Sequence, residues 1–230
     1  MVAARARVLS NPGVDALRLW VAEPQSTGFA SQPAARRAAA WYTAALASSQ
    51  MPDFAAARTA HAKLDEVVRG DAAALPLADG AVDLAICAQV YEHVADAEAL
   101  AAEVYRVLAP GGVCFFSGPN RWDPLERHYG LLFLSWLPRA VAHAYVRAAG
   151  RGERYMERPR SWWGLKRLWR GFTLQDYTVA AIRDPLRFQV VDELGSLAWV
   201  GRAPLWVLRA LLPLYPNYNW VLRKPGEGPP

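Results

Sequence analysis

The most clearly patterned stretch of the sequence runs from Arg69 to Asn120 and reads RGDAAALPLADGAVDLAICAQVYEHVADAEALAAEVYRVLAPGGVCFFSGPN. Its runs VDLAICA and VCFFS are apolar at odd and even positions alike, which is typical of strands covered on both faces of a parallel sheet. Between them, ADAEALAAEVYRVL repeats apolar residues at helical spacing, and Pro110-Gly111-Gly112 is expected to end that helix. Strand, helix and strand in this order predict a βαβ unit.

Polar residues stand at the ends of these predicted strands. Asp71 ends the short run EVVRGD, Gln89 follows VDLAICA, and the turn Ser117–Asn120 ends the next strand. In an open α/β sheet, ligands bind in the crevice beyond the carboxyl ends of the strands. We therefore predict that residues 65–120 form strand, strand, helix and strand of one parallel sheet, and that Asp71, Gln89 and Asn120 line one small-molecule site.

Shorter elements are predicted on either side of this stretch. The run ARVLS at Ala6–Ser10 indicates a strand, and DALRLWVA places Leu17, Trp20 and Val21 at helical intervals. Near the other end, FTLQDYTV and YNWVLRK are strand-like and predict an antiparallel edge. The predicted fold is α/β: a Rossmann-like, mostly parallel sheet with helices on both faces, an antiparallel C-terminal edge strand and a helical insertion after the fifth strand.

Composition narrows the class of protein. The 230 residues are 53% hydrophobic and 20% charged, which favours a folded domain over disorder. Two cysteines exclude a disulfide framework and favour a reducing compartment. The first residues lack the continuous apolar run of a signal peptide, and no long uncharged apolar stretch predicts a spanning helix. A cytoplasmic location is therefore expected, with contact at a membrane surface as an addition.

The positive charge is concentrated in one segment. Residues 120–172 contain eleven Lys or Arg against four acids, together with five of the ten tryptophans. We interpret 1–230 as one domain in which 121–172 is a basic, aromatic-rich helical insertion that forms a lid over the acceptor site. This composition suits a small-molecule or lipid-like acceptor and peripheral membrane contact through 130–172. The alternative is a solvated helical subdomain with a core of aromatics. No stacking motif of an RNA-binding module predicts a specific nucleic-acid partner.

Taken together, the motifs of Arg69–Asn120 resemble the central half of class I S-adenosylmethionine-dependent methyltransferases (methyltransferase type 11), and more narrowly the branch that includes ubiquinone and menaquinone methyltransferases. In that family GDA…LPF…FD follows the third strand, LEHV follows the fourth, and RVLKPGG leads into the fifth. The C-terminal NWVLRKP resembles the last strand of that fold. The resemblance implies S-adenosylmethionine as cofactor, with Asp71 accepting the adenine amino group, the backbone of Ala72 meeting the ring and Gln89 near the methionine end.

The resemblance weakens toward the N-terminus. There, ARVLSNPGVDALRLWVA lines up with the family's ARVLDVGCGTGxLALxLA, and Gly13 is the one glycine of the cofactor loop that remains. Pro12 and Val14 are expected to obstruct a close approach of the backbone to the cofactor. The acid that holds the ribose hydroxyls in the family falls at Ala30. Three explanations stay open: a diverged enzyme that uses other groups, a pseudo-enzyme, or an error in the first sixty residues.

Candidate catalytic residues follow the predicted fifth strand. The sulfonium group is already activated, so a methyltransferase mostly aligns the acceptor, and a base matters where the acceptor must lose a proton. His128 is the first candidate, with Glu126 and Tyr129 beside it, because other members of the branch carry an acid–His–Tyr cluster in a similar place. The alternative is that His128 caps or packs a helix. His93 is predicted to start a helix near the crevice.

Three classes of function compete at this stage. Transfer of a methyl group from S-adenosylmethionine to a small, hydrophobic or lipid-linked acceptor leads. A non-catalytic, methyltransferase-like binding protein is the alternative, because the glycine loop is degenerate. A nicotinamide-dependent oxidoreductase ranks last, because G-x-G-x-x-G is absent after the first strand. No Cys/His spacing predicts a metal, and Cys87 and Cys114 are expected to be buried inside strands.

Overall fold

The computed structural model describes residues 3–6, 19–22, 68–75, 77–188, 190 and 194–226, with side chains from residue 72 onward except at 196–198. The strands are β1 (Ala3–Ala6), β2 (Leu19–Ala22), β3 (Val68–Asp71), β4 (Val82–Ala88), β5 (Leu108–Pro119), β6 (Leu125–Glu126), β7 (Leu131–Leu132), β8 (Thr173–Asp176) and β9 (Asn217–Arg223). The α-helices are α1 (Ala97–Val107), α2 (Arg139–Ala148), α3 (Trp162–Leu168), α4 (Thr178–Arg183) and α5 (Leu205–Ala210). Short 3₁₀ segments cover Leu134–Trp136, Gly195–Arg202 and Leu212–Leu214.

The described part of the main sheet has the strand order β2-β4-β5-β9-β8. Strands β2, β4 and β5 run parallel, whereas β9 is antiparallel to both of its neighbours. Helix α1 connects β4 to β5, as expected of a βαβ unit. The predicted α/β class, with a parallel centre and an antiparallel C-terminal strand, is confirmed. The C-terminal strand lies between β5 and β8, so β8 takes the edge position.

Two expectations about the sheet are wrong. Strand β3 does not join the parallel sheet with β4: it pairs antiparallel with β1, with Ala3 opposite Asp71. The run LWVA is a strand and not part of a helix, because β2 pairs parallel with β4, with Leu19 opposite Leu84. A four-residue apolar run fits either period, and the backbone hydrogen bonds offered by the free edge of β4 decide in favour of a strand.

Helix α1 follows directly from its sequence. The carboxylate of Asp96 accepts a hydrogen bond from the backbone N–H of Ala99 (3.0 Å) and caps the first turn. Ala97, Leu100, Ala101, Val104 and Val107 form its buried face. The helix ends at Val107, because Leu108 is already extended and begins β5. The predicted apolar face is confirmed, and Pro110-Gly111-Gly112 lies within the strand that follows.

The main core lies on one face of the sheet, between the strands and helices α1 and α3. Phe116 of β5 is at its centre, with ring-centroid distances of 5.2 Å to Trp169 and 5.5 Å to Trp220. All three side chains are buried. Each removes a large aromatic surface from water, so this stack contributes heavily to the free energy of folding. It anchors β5, and therefore the loop at the carboxyl end of that strand.

Tyr91 ties the loop after β4 to the end of β5. Its ring lies 5.6 Å from that of Phe116 and covers Gly118, where a Cβ atom would come within 2.5 Å of the ring. Its hydroxyl donates to the carbonyl of Pro119 and accepts a hydrogen bond from the backbone N–H of Arg160 (3.0 Å). The absence of a side chain at Gly118 thus permits a contact that fixes residues 91–93.

The segment 121–172 contains the hairpin β6–β7, a 3₁₀ turn and helices α2 and α3. Its first part has a small core of its own, whereas α3 packs on the main core through Leu165. No helix in the described part of the chain is long and apolar enough to cross a membrane. The small core consists of Leu131, Leu134, Ala142, Val146 and Tyr155.

Candidate functional site

Three polar side chains form a cluster at the carboxyl edge of the sheet. The backbone of Gln89 turns into the left-handed region (φ 56°), and its N–H donates to the carbonyl of Ser117 (2.8 Å). Its amide Nε2 donates to Oδ1 of Asn217 (2.9 Å), and Nδ2 of Asn217 donates to Oγ of Ser117 (3.0 Å). These bonds join the ends of β4 and β5 to the start of β9. Gln89 therefore stands where the sequence predicts it, beyond the end of β4.

The adenine end of the predicted cofactor site is described in part. The backbone of Asp71 ends β3, and the side chain of Asp71 lies outside the described atoms. Ala72 is fully buried in the main core. Arg106 of α1 holds the loop that follows, donating from its guanidinium to the carbonyls of Leu75 (3.1 Å) and Leu77 (2.7 Å). The assignments of Asp71 and Ala72 stay predictions from the resemblance.

Asn120 differs from the expectation. Its side chain is buried, and Nδ2 donates to the carbonyls of Pro213 (2.9 Å) and Tyr215 (2.8 Å). The C-terminal segment therefore occupies its donor, and Asn120 does not line a crevice with Gln89. Its role is to hold residues 213–215 against the end of β5.

Two residues assigned to the cofactor site lie outside the described residues. They are Gly13 of the glycine loop and Ala30, which stands where the family has its ribose-binding acid. The alignment that placed them counts DALRLWVA as a helix, whereas the structure has β2 at Leu19–Ala22, parallel to β4. The assignment of Gly13 to the cofactor loop stays a prediction, but the alignment from which it was made does not agree with the position of β2.

Five acidic and imidazole side chains form a second cluster, the Glu–His cluster, built from Glu92, His93, Glu126, His128 and Glu157. The first two follow β4, the next two belong to the β6–β7 hairpin, and Glu157 lies between α2 and α3. Nδ1 of His128 is 2.8 Å from Oε1 of Glu126. His93 lies between two carboxylates, with Nε2 3.7 Å from Glu92 and Nδ1 3.8 Å from Glu157. The two imidazole rings meet edge to face at 4.9 Å.

The hairpin holds Glu126 and His128 in place. The second carboxylate oxygen of Glu126 accepts from the backbone N–H of Tyr129 (3.0 Å), and Gly130 takes the left-handed conformation (φ 65°) that the turn requires. The hydroxyl of Tyr129 donates to the carbonyl of Arg154 (3.1 Å) and accepts from the N–H of Met156 (3.2 Å). Tyr129 thus fixes the backbone of residues 154–156, beside the cluster.

Burial and charge set the protonation of the cluster. Glu92 is completely buried, and this burial raises its pKa to about 8. Burial lowers the pKa of His93 to about 4, with the neighbouring His128 as a second cause. The hydrogen bond to the Glu126 carboxylate instead raises the pKa of His128. Glu92 and His93 therefore favour their neutral forms, whereas the neighbouring His128 favours its charged form. Neighbouring groups of this kind occur in sites that bind and move protons.

The sequence predicts part of this cluster. The predicted pair Glu126 and His128 is hydrogen-bonded, and His93 contacts His128. His93 does not start a helix as predicted, because it lies in a turn and α1 begins at Ala97. Sequence reasoning missed Glu92 and Glu157. Glu92 could have been found from its position in YEHV, directly after a strand end and beside His93. Glu157 gives no such signal, because it stands in a basic stretch far along the chain and folding brings it to His93.

Comparison with known proteins finds a family match for the part of the chain that ends in β5. Residues 25–116 match the model of the family described as "Methyltransferase domain". A 37.1 kDa protein of transposon TN4556 from Streptomyces fradiae is 41% identical over 100 residues, which are 44% of this chain and 27% of that protein. A "Probable S-adenosylmethionine-dependent methyltransferase" from Mycolicibacterium smegmatis is 40% identical over 73 residues, 30% of this chain and 28% of that protein.

A third relative belongs to the narrower branch that the sequence resembles. A demethylmenaquinone methyltransferase from Beutenbergia cavernae is 41% identical over 81 residues, which are 33% of each chain. The chain thus spans a third or less of the length of these relatives. The matched family region contains β4 and α1 and extends into β5. Residues 25–116 therefore resemble a methyltransferase domain, and the predicted similarity to the enzymes that use S-adenosylmethionine is confirmed.

Proposed function

We propose that this protein transfers a methyl group from S-adenosylmethionine to a small, hydrophobic or lipid-linked acceptor at the carboxyl edge of β4 and β5. One observation carries the proposal: the methyltransferase match ends in β5, and four of the five side chains of the Glu–His cluster come from the segments that follow β4 and β5. Ligands of open α/β sheets bind at this edge. The cluster therefore lies where the acceptor of such an enzyme would meet the cofactor.

The two polar clusters have different tasks in this proposal. The cluster of Gln89, Ser117 and Asn217 belongs to the methionine end of the cofactor, as the resemblance implies for Gln89. The Glu–His cluster binds the reacting group of the acceptor. The nucleophilic atom of the acceptor attacks the methyl carbon in line with the sulfur–carbon bond, which breaks as the new bond forms, and S-adenosylhomocysteine leaves. The protein contributes alignment, exclusion of water and a path for the acceptor's proton.

A patch of exposed apolar side chains supports a hydrophobic or lipid-linked acceptor. It lies on the hairpin and the start of α2, in the same segment that supplies Glu126 and His128. Its members are 41% to 56% exposed, although they are large and apolar. Basic residues occur along the same segment, which suits contact with an anionic membrane surface. The patch consists of Leu125, Leu132, Phe133, Trp136 and Val141.

Methyl transfer from labelled S-adenosylmethionine tests this function. The acceptor is a hydroxylated aromatic ring with a long alkyl tail, presented in anionic or neutral vesicles, and the same ring without a tail serves in solution. We expect the tailed acceptor to be methylated fastest in anionic vesicles at low salt. That advantage should shrink as the salt concentration rises, because the Debye screening length falls to about 8 Å at physiological ionic strength.

Two variants separate the membrane contact from the chemistry. Leu132→Ser should reduce the rate with vesicles and leave the rate with the soluble ring unchanged. Leu186→Ser is the matched control, because Leu186 is 79% exposed and lies outside the patch. Equal rates with and without the tail would contradict a lipid-linked acceptor. Failure to methylate either ring would refute this acceptor class.

A further inference from the structure

Glu92 presents a buried carboxylate that lacks a partner. Its side chain is 0% exposed, and neither carboxylate oxygen has a hydrogen-bond partner among the described residues. Nε2 of His93 lies 3.7 Å from the carboxylate of Glu92, which is beyond hydrogen-bond distance. A carboxylate buried without a partner is strongly unfavourable, so such groups take up a proton, pair with another group or coordinate a metal, and even the neutral carboxyl group leaves buried polar atoms without hydrogen bonds. Glu92 therefore points to a ligand that binds inside the Glu–His cluster.

The groups around Glu92 have the chemistry of a metal site. Glu92, His93 and His128 each offer one ligand atom, and these atoms lie within 4.8 Å of one another. Two imidazoles and one carboxylate are a known ligand set of catalytic zinc, which keeps a fourth position open. Bonds of about 2.1 Å place ligand atoms roughly 3.4 Å apart, so a small rotation of the side chains closes the site.

A carboxylate holds the imidazole of His128, and another lies close to the imidazole of His93. Nδ1 of His128 is bonded to Glu126 at 2.8 Å, which leaves Nε2 to bind a metal. His93 directs Nδ1 toward Glu157 (3.8 Å) and Nε2 toward Glu92. Metal-binding histidines characteristically present their other ring nitrogen to a carboxylate or carbonyl. Here His93 and His128 would be the metal ligands, and Glu126 and Glu157 would be the groups that support them.

The charge of the cluster favours a cation. Three carboxylates, from Glu92, Glu126 and Glu157, converge on two imidazoles. In the described part of the chain, none of the three forms an ion pair with Lys or Arg, although the segment is rich in arginine. Arg158 is adjacent in sequence, yet its guanidinium donates to the carbonyl of Ala95 and its backbone N–H to that of Glu92. When all three are ionised, these carboxylates would balance the charge of a bound divalent ion.

We propose that Glu92, His93 and His128 bind a divalent transition-metal ion such as Zn²⁺, with Glu126 as the positioning residue of His128. The consequence for catalysis rests on the proposed function: the open position takes a hydroxyl oxygen of the acceptor, which makes hydroxyl groups the acceptor class. On binding, the hydroxyl releases its proton to water. Its oxygen then forms the bond to the methyl carbon while the sulfur–carbon bond breaks, and S-adenosylhomocysteine leaves.

Co²⁺ is the probe that tests the site, because its visible absorption reports nitrogen and oxygen coordination. The metal-free full chain is titrated with Co²⁺ and then with competing Zn²⁺. We expect one Co²⁺ per chain, with visible bands that Zn²⁺ removes. Glu92→Gln, His93→Gln and His128→Gln should each weaken binding by more than about 100-fold, and Glu126→Gln by roughly 10- to 100-fold, as for loss of a supporting group.

His143→Gln is the matched control, because glutamine can still accept the hydrogen bond that Nδ1 of His143 receives from the N–H of Tyr155 (3.0 Å). It should bind Co²⁺ like the wild type. Absence of Co²⁺ bands from the folded wild type, or equal binding by the three ligand variants, would overturn the metal site. The wild-type titration decides even where a variant folds poorly.

The same preparations separate failure of this inference from failure of the proposed function. Methyl transfer that persists in the metal-free protein refutes the catalytic role of the metal and leaves the proposed function standing. Saturable Co²⁺ binding without any binding of S-adenosylmethionine refutes the function and leaves the metal site standing. Loss of methyl transfer on chelation, with recovery on addition of Zn²⁺, supports both.

Discussion

Replacing His128 with glutamine is expected to lower the turnover of methyl transfer by about 10²- to 10⁴-fold, the range for loss of a group that handles the acceptor's proton. The imidazole is held at 2.8 Å by Glu126 and stands against His93. Glutamine keeps a comparable size but offers neither an imidazole nitrogen to a metal nor a base to a proton. The acceptor would therefore enter the site and remain unactivated.

Turnover and cofactor affinity must be measured together on this variant. The dissociation constant for S-adenosylmethionine should stay within about twofold of the wild-type value. For comparison, a tenfold change would correspond to about 1.4 kcal/mol of binding free energy. His143→Gln should retain wild-type turnover. A loss of turnover below about tenfold in His128→Gln would show that His128 has a structural role only, as in the alternative that it caps or packs a helix.

Trp220→Ala should destabilise the protein by about 3–5 kcal/mol, the usual cost of removing a buried tryptophan side chain. Trp220 of β9 is fully buried and stacks on Phe116 and Tyr218 at centroid distances of 5.5 and 5.3 Å. Its loss would leave a cavity between β9 and α3. Calorimetric unfolding should show a Tm lower by roughly 6–20 °C, at about 2–4 °C for each kcal/mol.

Two further variants show whether packing is the cause. Trp220→Phe should cost much less, about 1–2 kcal/mol, because a ring remains and the indole N–H has no hydrogen-bond partner among the described residues. Trp206→Ala should change stability by less than about 0.5 kcal/mol, because this side chain is 74% exposed. Equal destabilisation by Trp220→Ala and Trp206→Ala would contradict the assigned core.

The parts of the fold that the sequence predicts are those with an unambiguous hydrophobic period. Strand β4 is apolar at both parities because it is buried on both faces, and α1 repeats its buried positions at helical spacing. The start of α1 carries its own signal, the Asp96 cap, whereas Pro110-Gly111-Gly112 lies within β5 and does not end the helix. These local signals agree with the final packing, so reading them in order reproduces the βαβ unit.

The wrong expectations concern pairing, which no local signal determines. The four residues of β2 have too few positions to separate a helical period from a strand, and the edge of β4 decides between them. Strand β3 is correctly placed along the chain, but β1 pairs with it and turns it out of the parallel order. In both cases a partner that is distant in sequence supplies the hydrogen bonds.

The site shows the same division between local and distant information. Glu126 and His128 are two residues apart, and their proximity could be predicted from the chain. Glu157 reaches His93 through the fold, because Tyr129 holds residues 154–156 beside the hairpin. The burial of Glu92 follows from the packing of Tyr91 against β5, which sequence spacing does not reveal.

Titration calorimetry with S-adenosylmethionine tests whether this chain binds the cofactor of the proposed reaction. One cofactor should bind per chain. Asp71→Ala should weaken this binding by about 10- to 150-fold, the equivalent of a charge-assisted hydrogen bond of about 1.5–3 kcal/mol. Glu153→Ala, which removes an exposed acid away from the predicted cofactor site, should bind like the wild type. The absence of heat from the folded wild type at millimolar cofactor would contradict the account.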